Sequence, residues 1–141
     1  MKRHIFVKDA PPPPPSVQYA HAIEAGGFLY VTGQLPLDPA APHEALPNAI
    51  EGQARACFRN LGTILDAAGY TWRDAVFVRI YLREFARDYV GFNAVYHEYF
   101  DEPATMPGRT TVGVAALGRD ALVEVDLVLY RDPGSARERR S

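Results

Sequence analysis

The segment that decides the fold spans residues 108–130 and reads GRTTVGVAALGRDALVEVDLVLY. Both of its halves are rich in β-branched and aromatic residues, which favour strands. Gly118-Arg119 lies between the halves, and glycine is typical of a tight turn. The segment therefore predicts two strands, over residues 108–117 and 121–130, that pair as an antiparallel hairpin.

The last predicted strand carries apolar side chains on both of its faces. Side chains alternate between the two faces of a strand, so one face is aliphatic and the other mixes apolar with acidic residues. The aliphatic face holds Val123, Val125, Leu127 and Leu129, and the mixed face holds Leu122, Glu124, Asp126, Val128 and Tyr130. Burying an exposed Val, Leu or Tyr side chain is worth about 1.5–3 kcal/mol. Because helices are expected on only one face, we expect the mixed face to pack against another copy, in a closed ring or dimer.

Upstream of this segment, strand and helix patterns alternate. The predicted strands cover residues 5–7, 19–24, 28–32 and 75–82, and the predicted helices run from Pro47 to Gly69 and from Asp88 to about residue 100. Apolar residues recur every three or four positions in both helices, and glycine and aspartate suit their ends. This order predicts an α+β fold, or a mixed α/β layer, in which two helices pack on one sheet.

The chain has 141 residues and a formal net charge of −2. Its length fits one domain, predicted over residues 1–131, followed by a polar and disordered tail over residues 132–141. The charge lacks the basic surplus of a dedicated nucleic-acid binder. No apolar run has the length of a membrane span, and no signal peptide is expected. Cys57 is the only cysteine, which favours a cytoplasmic protein, and its place on the apolar helix stripe predicts a core residue.

The predicted hairpin brings charged residues to one side of the sheet. In its register Gly113 faces Glu124 and leaves open space there, while Thr111 faces Asp126. Arg109 shares the side of Thr111 and Gly113 because side chains alternate with a period of two. All five residues are therefore expected on the side that meets another copy. Arginine can bind a carboxylate through two hydrogen bonds and glutamate can hold a water, whereas a structural ion pair is the alternative.

No familiar cofactor pattern accompanies these residues. The four histidines are His4, His21, His43 and His97. They lack the spacing of a helical metal site, and no cluster of cysteines supports them. No glycine-rich phosphate loop is present. The residues therefore indicate neither a histidine or cysteine metal site nor a phosphate-binding loop.

Several motifs together identify a family. They are YVTGQ at residues 30–34, the helix over residues 53–69, FNAVY at residues 92–96, and PGRTTV at residues 107–112 followed by VEVD at residues 123–126. The combination resembles the RidA (YjgF) family of reactive intermediate/imine deaminases over roughly residues 5–131. The resemblance implies a chorismate mutase-like fold, with a six-stranded sheet backed by two helices, in a homotrimer whose clefts lie between subunits. It also implies hydrolysis of 2-imino acids and enamines, such as 2-aminoacrylate, to 2-keto acids and ammonia, without a metal or organic cofactor.

The resemblance assigns the two catalytic roles. Arg109 falls on the family's essential arginine and would hold the substrate carboxylate. Glu124 falls on the family's glutamate and would hold the attacking water.

The resemblance also assigns substrate-binding positions. The backbone N–H of Gly33, which follows Thr32, would contact the substrate carboxylate, and Tyr19 falls on the family's cleft tyrosine. The carbonyl of Thr111 would steady the water, at a place where family members often have cysteine. Gly108 replaces the usual alanine, which predicts a looser backbone before Arg109 or a larger pocket.

Other functions remain open at this stage. A pathway-specific deaminase acting on an aminomuconate-type substrate is one, and a larger pocket near Gly108 would favour it. Some relatives carry labels such as endoribonuclease, so RNA binding is another. A third is a sensor that binds 2-keto acids through Arg109 without turnover.

Overall fold

Six strands form one mixed sheet with two helices on one side, in a computed structural model that describes residues 1–134. The strands are β1 (Lys2–Ile5), β2 (Ala22–Ala25), β3 (Phe28–Gln34), β4 (Ala75–Leu82), β5 (Gly108–Gly113) and β6 (Val123–Tyr130), and the helices are α1 (Ile50–Ala68) and α2 (Phe85–Tyr99). The order across the sheet is β1-β2-β3-β6-β4-β5, in which only the β4–β5 pair is parallel. The α+β class is confirmed. Residues 135–141, most of the predicted tail, lie outside the described residues.

The helices form where the apolar periodicity predicts them. α1 ends at Gly69, whose φ of 83° is the left-handed conformation that glycine adopts readily. α2 begins at Phe85 and not at Asp88, which lies buried in the first turn and pairs with Arg87 at 2.9 Å. A carboxylate stabilises the positive end of a helix from within the first turn as well as from the cap. Asp88 therefore predicted the start of α2 to within one helical turn.

The core lies between the two helices and one face of the sheet. It contains Phe58 and Leu61 from α1, Phe92 from α2, and the aliphatic residues of β6, all at most 1% exposed. Cys57 is fully buried among them, as predicted. Within residues 1–134, no helix combines the length and the apolar character that a bilayer span requires.

The predicted hairpin of the last two strands is wrong. β5 lies at the sheet edge and pairs in parallel with β4, whereas β6 lies between β3 and β4. The segment that connects β5 to β6 passes around the end of β4. Two hydrogen bonds fix it there, from Val114 N–H to the Leu82 carbonyl and from Arg83 N–H to the Leu122 carbonyl. The central position lets β6 pair along both of its edges and buries its aliphatic face under α1.

The second face of the sheet carries several large apolar side chains that are exposed in the single chain. Large side chains on it are 36% to 49% exposed, namely Phe28, Tyr30, Phe77, Val112 and Tyr130. The alternation of β3, β4 and β6 places their buried residues on the helix side and the exposed ones on the other, here called the open face. Val112 of β5 shares the open face because it pairs with Tyr81 of β4. The prediction that both faces carry apolar residues is confirmed. What covers the open face stays a prediction.

Candidate active site in two clusters

Arg109 lies on the helix side of the edge strand β5. Its partner in the parallel register is the buried Val78, so both side chains point toward α2. The guanidinium Nε donates to Thr111 Oγ1 at 2.9 Å, and Nη2 donates to Asn93 Oδ1 on α2. Three rings of α2 surround the guanidinium carbon, at 4.5 Å from the centroid of Tyr96 and 5.7 Å from those of Tyr89 and Phe92. We call these six residues the arginine cluster.

The groups that contact the positively charged Arg109 guanidinium in the arginine cluster are all neutral. Among residues 1–134, no carboxylate lies within ion-pair distance of its guanidinium. Aromatic faces stabilise a cation and leave its charge in place. Burial raises the pKa of Tyr96, and Arg109 opposes that rise. A cation that is oriented but not neutralised can accept an anionic ligand such as a carboxylate.

Glu124 lies on the open face of β6, opposite Tyr81 of β4. Its carboxylate reaches back over Gly33 of β3, where a Cβ would overlap Oε2 and lie only 3.0 Å from Cδ. Glycine at this position is therefore what admits the carboxylate. Burial raises the pKa of Glu124, and the charge of Asp126 raises it further. A carboxyl group with a raised pKa is suited to exchange a proton with a water molecule.

Tyr19 interacts with the same carboxylate, and Thr32 is the residue that precedes Gly33 in β3. Burial raises the pKa of Tyr19, and the second cause is the negative charge of Glu124, so the two groups interact. Thr32 precedes Gly33, and its hydroxyl donates to the carbonyl of Ala20 at 2.7 Å. That bond ties the Tyr19 segment to β3. We call Glu124, Gly33, Thr32 and Tyr19 the glutamate cluster.

The predicted placement of five site residues on one side is wrong. Arg109, Thr111 and Gly113 lie on the helix side, whereas Glu124 and Asp126 lie on the open face. The cause is the topology: β4 separates β5 from β6, so the assumed register does not exist. One chain therefore presents the two clusters on opposite sides of its own sheet.

Gly113 differs from the prediction, and so does one of the two alternatives given for Gly108, the larger pocket; the looser backbone stays a prediction. Gly113 pairs with Leu82 rather than Glu124. A Cβ at Gly108 would lie 2.7 Å from the ring of Phe77, so this ring fills the space beside Gly108. Gly108 thus creates no open pocket.

Asp126 and His21 serve the fold. Asp126 accepts from Arg79 at 2.8 Å and from the Tyr81 hydroxyl at 3.1 Å. His21 bonds through its two ring nitrogens to Val7 N–H and to the Pro11 carbonyl. In the part of the chain that the structure describes, no three His, Cys, Asp or Glu side chains are grouped so that they could hold a metal ion.

The α2 side of the arginine cluster was not predicted from the sequence. Tyr89, Asn93 and Tyr96 are separated by four and three positions, which places them on one face of a helix. That spacing was a usable signal. What it could not show is that this face meets Arg109, because the contact depends on the position of β5.

Comparison with known proteins identifies the family. The family model described as Endoribonuclease L-PSP matches residues 8–130. This chain belongs to that family, the Rid/YjgF family. A RutC family protein of Pyrococcus horikoshii is 39% identical over 132 residues, which cover 94% of this chain and all of that protein.

Two further Rid/YjgF relatives bear on chemistry. A protein of Dermatophagoides farinae named 2-iminobutanoate/2-iminopropanoate deaminase is 32% identical, over 83% of this chain and 88% of its own length. The crystal structure of Escherichia coli TdcF with bound serine has a TM-score of 0.82 and 28% identity, and covers 92% of this chain and 98% of that one. Members of this family therefore include a named imine deaminase and a protein that binds a small amino acid.

Proposed function

We propose that this protein hydrolyses 2-imino acids and their enamine tautomers, such as 2-aminoacrylate, to 2-keto acids and ammonia. Water adds to the imine carbon, the carbon–nitrogen bond breaks, and the nitrogen leaves as ammonia with protons taken from water. An imine carbon is already electrophilic, so the protein has only to orient the substrate and deliver the water. The observation that carries the proposal is the Arg109 guanidinium, oriented by Asn93 and Thr111 with no carboxylate of residues 1–134 paired to it.

Arg109 is proposed to bind the substrate carboxylate. Its planar fork can form two parallel hydrogen bonds with a carboxylate, which fixes both position and orientation. The rings of Tyr89, Phe92 and Tyr96 limit the movement of the guanidinium. A small acid bound in this way presents its imine carbon at a defined distance from the arginine.

Glu124 is proposed to hold the water and move its proton. Burial raises its pKa, so the carboxylate is a stronger base than an exposed glutamate. The Gly33 N–H would assist the substrate carboxylate, the Thr111 carbonyl would steady the water, and Thr32 and Tyr19 would border the cleft. The closeness of Gly33 to Glu124 supports a shared role for this pair.

The reaction requires two copies of the chain. Because the two clusters lie on opposite sides of one sheet, Arg109 of one copy has to meet Glu124 of another. The exposed aromatic residues of the open face support such an assembly, because burying them is favourable. We propose the homotrimer with clefts between subunits that the family resemblance implies, acting in the cytoplasm.

Complementation between inactive variants tests the proposal. Imines are generated from amino acids by an amino-acid oxidase, and the release of keto acid is followed with and without the protein. Arg109→Ala and Glu124→Gln should each abolish the acceleration. Oligomers refolded from a one-to-one mixture should regain about a quarter of the wild-type activity, since that fraction of clefts receives both intact groups when the copies mix randomly. Full activity of Arg109→Ala alone would refute the proposal.

RNA cleavage is a second candidate because the matching family model is described as an endoribonuclease. The net charge of −2 argues against strong binding to a phosphate backbone. Incubation with single-stranded RNA at moderate salt decides between the two. Cleavage that survives in Arg109→Ala would favour the ribonuclease and assign it to another site.

A further inference from the structure

A groove of about 630 Å³ opens beside the glutamate cluster. Tyr19 and Thr32 of the glutamate cluster are among its lining residues, Phe6, Ala20 and Ile23 form apolar walls, and His4 and Gln18 add polar groups. Its volume lies within the range of pockets that bind small molecules. The groove therefore continues the candidate active site instead of forming a separate one.

The outer wall of the groove is a stiff segment. Pro13 belongs to a run of five prolines, residues 11–15, which fixes the backbone in an extended form. His21 anchors this segment, since its ring bonds to Val7 N–H at 2.9 Å and to the Pro11 carbonyl at 2.8 Å. Because the prolines stiffen this wall and His21 anchors it at Pro11, the groove has a restricted shape, which lowers the entropy lost when a ligand binds.

We propose that this groove receives the substrate side chain, and that the preferred substrates are 2-imino acids with a long aliphatic or aromatic neutral side chain. The inference rests on the proposed function. Phe6, Ala20 and Ile23 would then determine the specificity for this class of substrate.

The apolar walls of the groove favour substrates with a neutral, apolar side chain. His4 and Gln18 also line the groove, but among residues 1–134 no Asp, Glu, Lys or Arg does, so an ammonium or guanidinium side chain would find no carboxylate there. Thr32 and Tyr19 belong both to the groove and to the glutamate cluster, which places the groove next to the water proposed at Glu124. An imino acid with only a methyl group would leave the apolar walls unused.

Steady-state rates on matched imines test the proposal. Imines are generated by an amino-acid oxidase from phenylalanine, leucine and alanine. For the wild type, kcat/KM should be at least about tenfold higher for the phenylalanine-derived imine than for the alanine-derived one. Equal values, or a preference for the alanine-derived imine, would overturn the substrate class and leave the deaminase proposal intact.

Two groove variants and a control locate the effect. Phe6→Ala, at a side chain 71% exposed and hence cheap to remove, should lower kcat/KM for the phenylalanine-derived imine about tenfold and leave the alanine-derived imine within about twofold. Ala20→Phe narrows the groove and should act in the same selective way. Val17→Ala, at an exposed residue outside the groove, should change neither value. A uniform effect of Phe6→Ala on both imines would overturn the proposal.

A binding measurement separates failure of the groove from failure of the proposed function. If no imine is hydrolysed faster than without protein, the deaminase proposal fails, and the groove is tested by titration with phenylpyruvate and pyruvate. Tighter binding of phenylpyruvate that Phe6→Ala weakens about tenfold would support the groove. Equal affinities, or no binding of either acid, would overturn it.

Discussion

Replacing Asn93 by Asp turns the side-chain amide beside Arg109 into a carboxylate. The change tests whether substrate binding depends on a positive charge at Arg109 that no carboxylate neutralises. Asn93 Oδ1 accepts a hydrogen bond from Arg109 Nη2. Aspartate has almost the same shape and keeps the acceptor, so the guanidinium stays oriented. The new carboxylate supplies a negative charge that the described residues do not place there.

The expected magnitude follows from the charge separation. Two opposite charges about 4 Å apart attract by about 4 kcal/mol at an effective dielectric constant of about 20. Arg109 is half-buried, so solvent screening leaves roughly half of this energy. A competing attraction of about 2 kcal/mol corresponds to about a 30-fold weaker hold on the substrate carboxylate. We expect Asn93→Asp to raise KM by that factor with little change in kcat.

The assay combines imine turnover, pyruvate titration and thermal unfolding. The midpoint of thermal unfolding should not fall, because the substituted side chain pairs with Arg109. Asn93→Ala serves as the comparison, since it removes the acceptor and should lower both stability and activity. If Asn93 only supported the fold, the aspartate variant would keep wild-type KM and pyruvate affinity. That result would refute the argument that a free positive charge binds the substrate.

The remaining predictions concern the glutamate cluster, a helix and the open face. Glu124→Gln should lower kcat by at least about 10²-fold. Burial raises the folded-state pKa of Glu124, so its ionisation lowers the stability of the wild type as pH rises through that pKa. Glu124→Gln should therefore be more thermally stable than the wild type at neutral pH, and this difference should disappear in acid. Gly33→Ala should push the Glu124 carboxylate aside and lower activity about 10²-fold. Gly113→Ala, whose Cβ would lie 3.3 Å from Phe85 and away from Glu124, should not. Gly62→Ala in α1 should raise the free energy of unfolding by about 1 kcal/mol in denaturant titration, because its Cβ meets only an ordinary contact at 3.4 Å. Tyr30→Asp should give a folded monomer in light scattering and no imine hydrolysis, since the site needs two copies; an active monomer would contradict this.

The local elements were predictable because their signals are short-range. The apolar periodicity and the terminal glycine fixed α1, which ends where Gly69 adopts a left-handed conformation. The β-branched run of residues 75–82 coincides with β4. The burial of Cys57 followed from its place on the helix stripe. In each case neighbouring residues along the chain decide the outcome through backbone preference and side-chain period.

The residue types of the site were also readable from the sequence, but its geometry was not. The family resemblance picked out Arg109 and Glu124, and a glycine next to the glutamate was expected. The structure shows that the glycine against the carboxylate is Gly33 and not Gly113. It also adds Asn93, which the sequence supplied only as part of a motif.

By itself, the sequence determined the helices, the strand patterns, the presence of apolar residues on both sheet faces and the residue types of the candidate site. Only the tertiary structure decided which strands pair, and with that the side of the sheet on which each group lies. Strand pairing depends on contacts between segments that are distant along the chain. β6 lies between β3 and β4 and pairs along both of its edges. The turn residues near Gly118 do not indicate whether β6 pairs with β5 or with these two strands. Arg109 and Glu124 lie on opposite sides of the sheet because of this strand order.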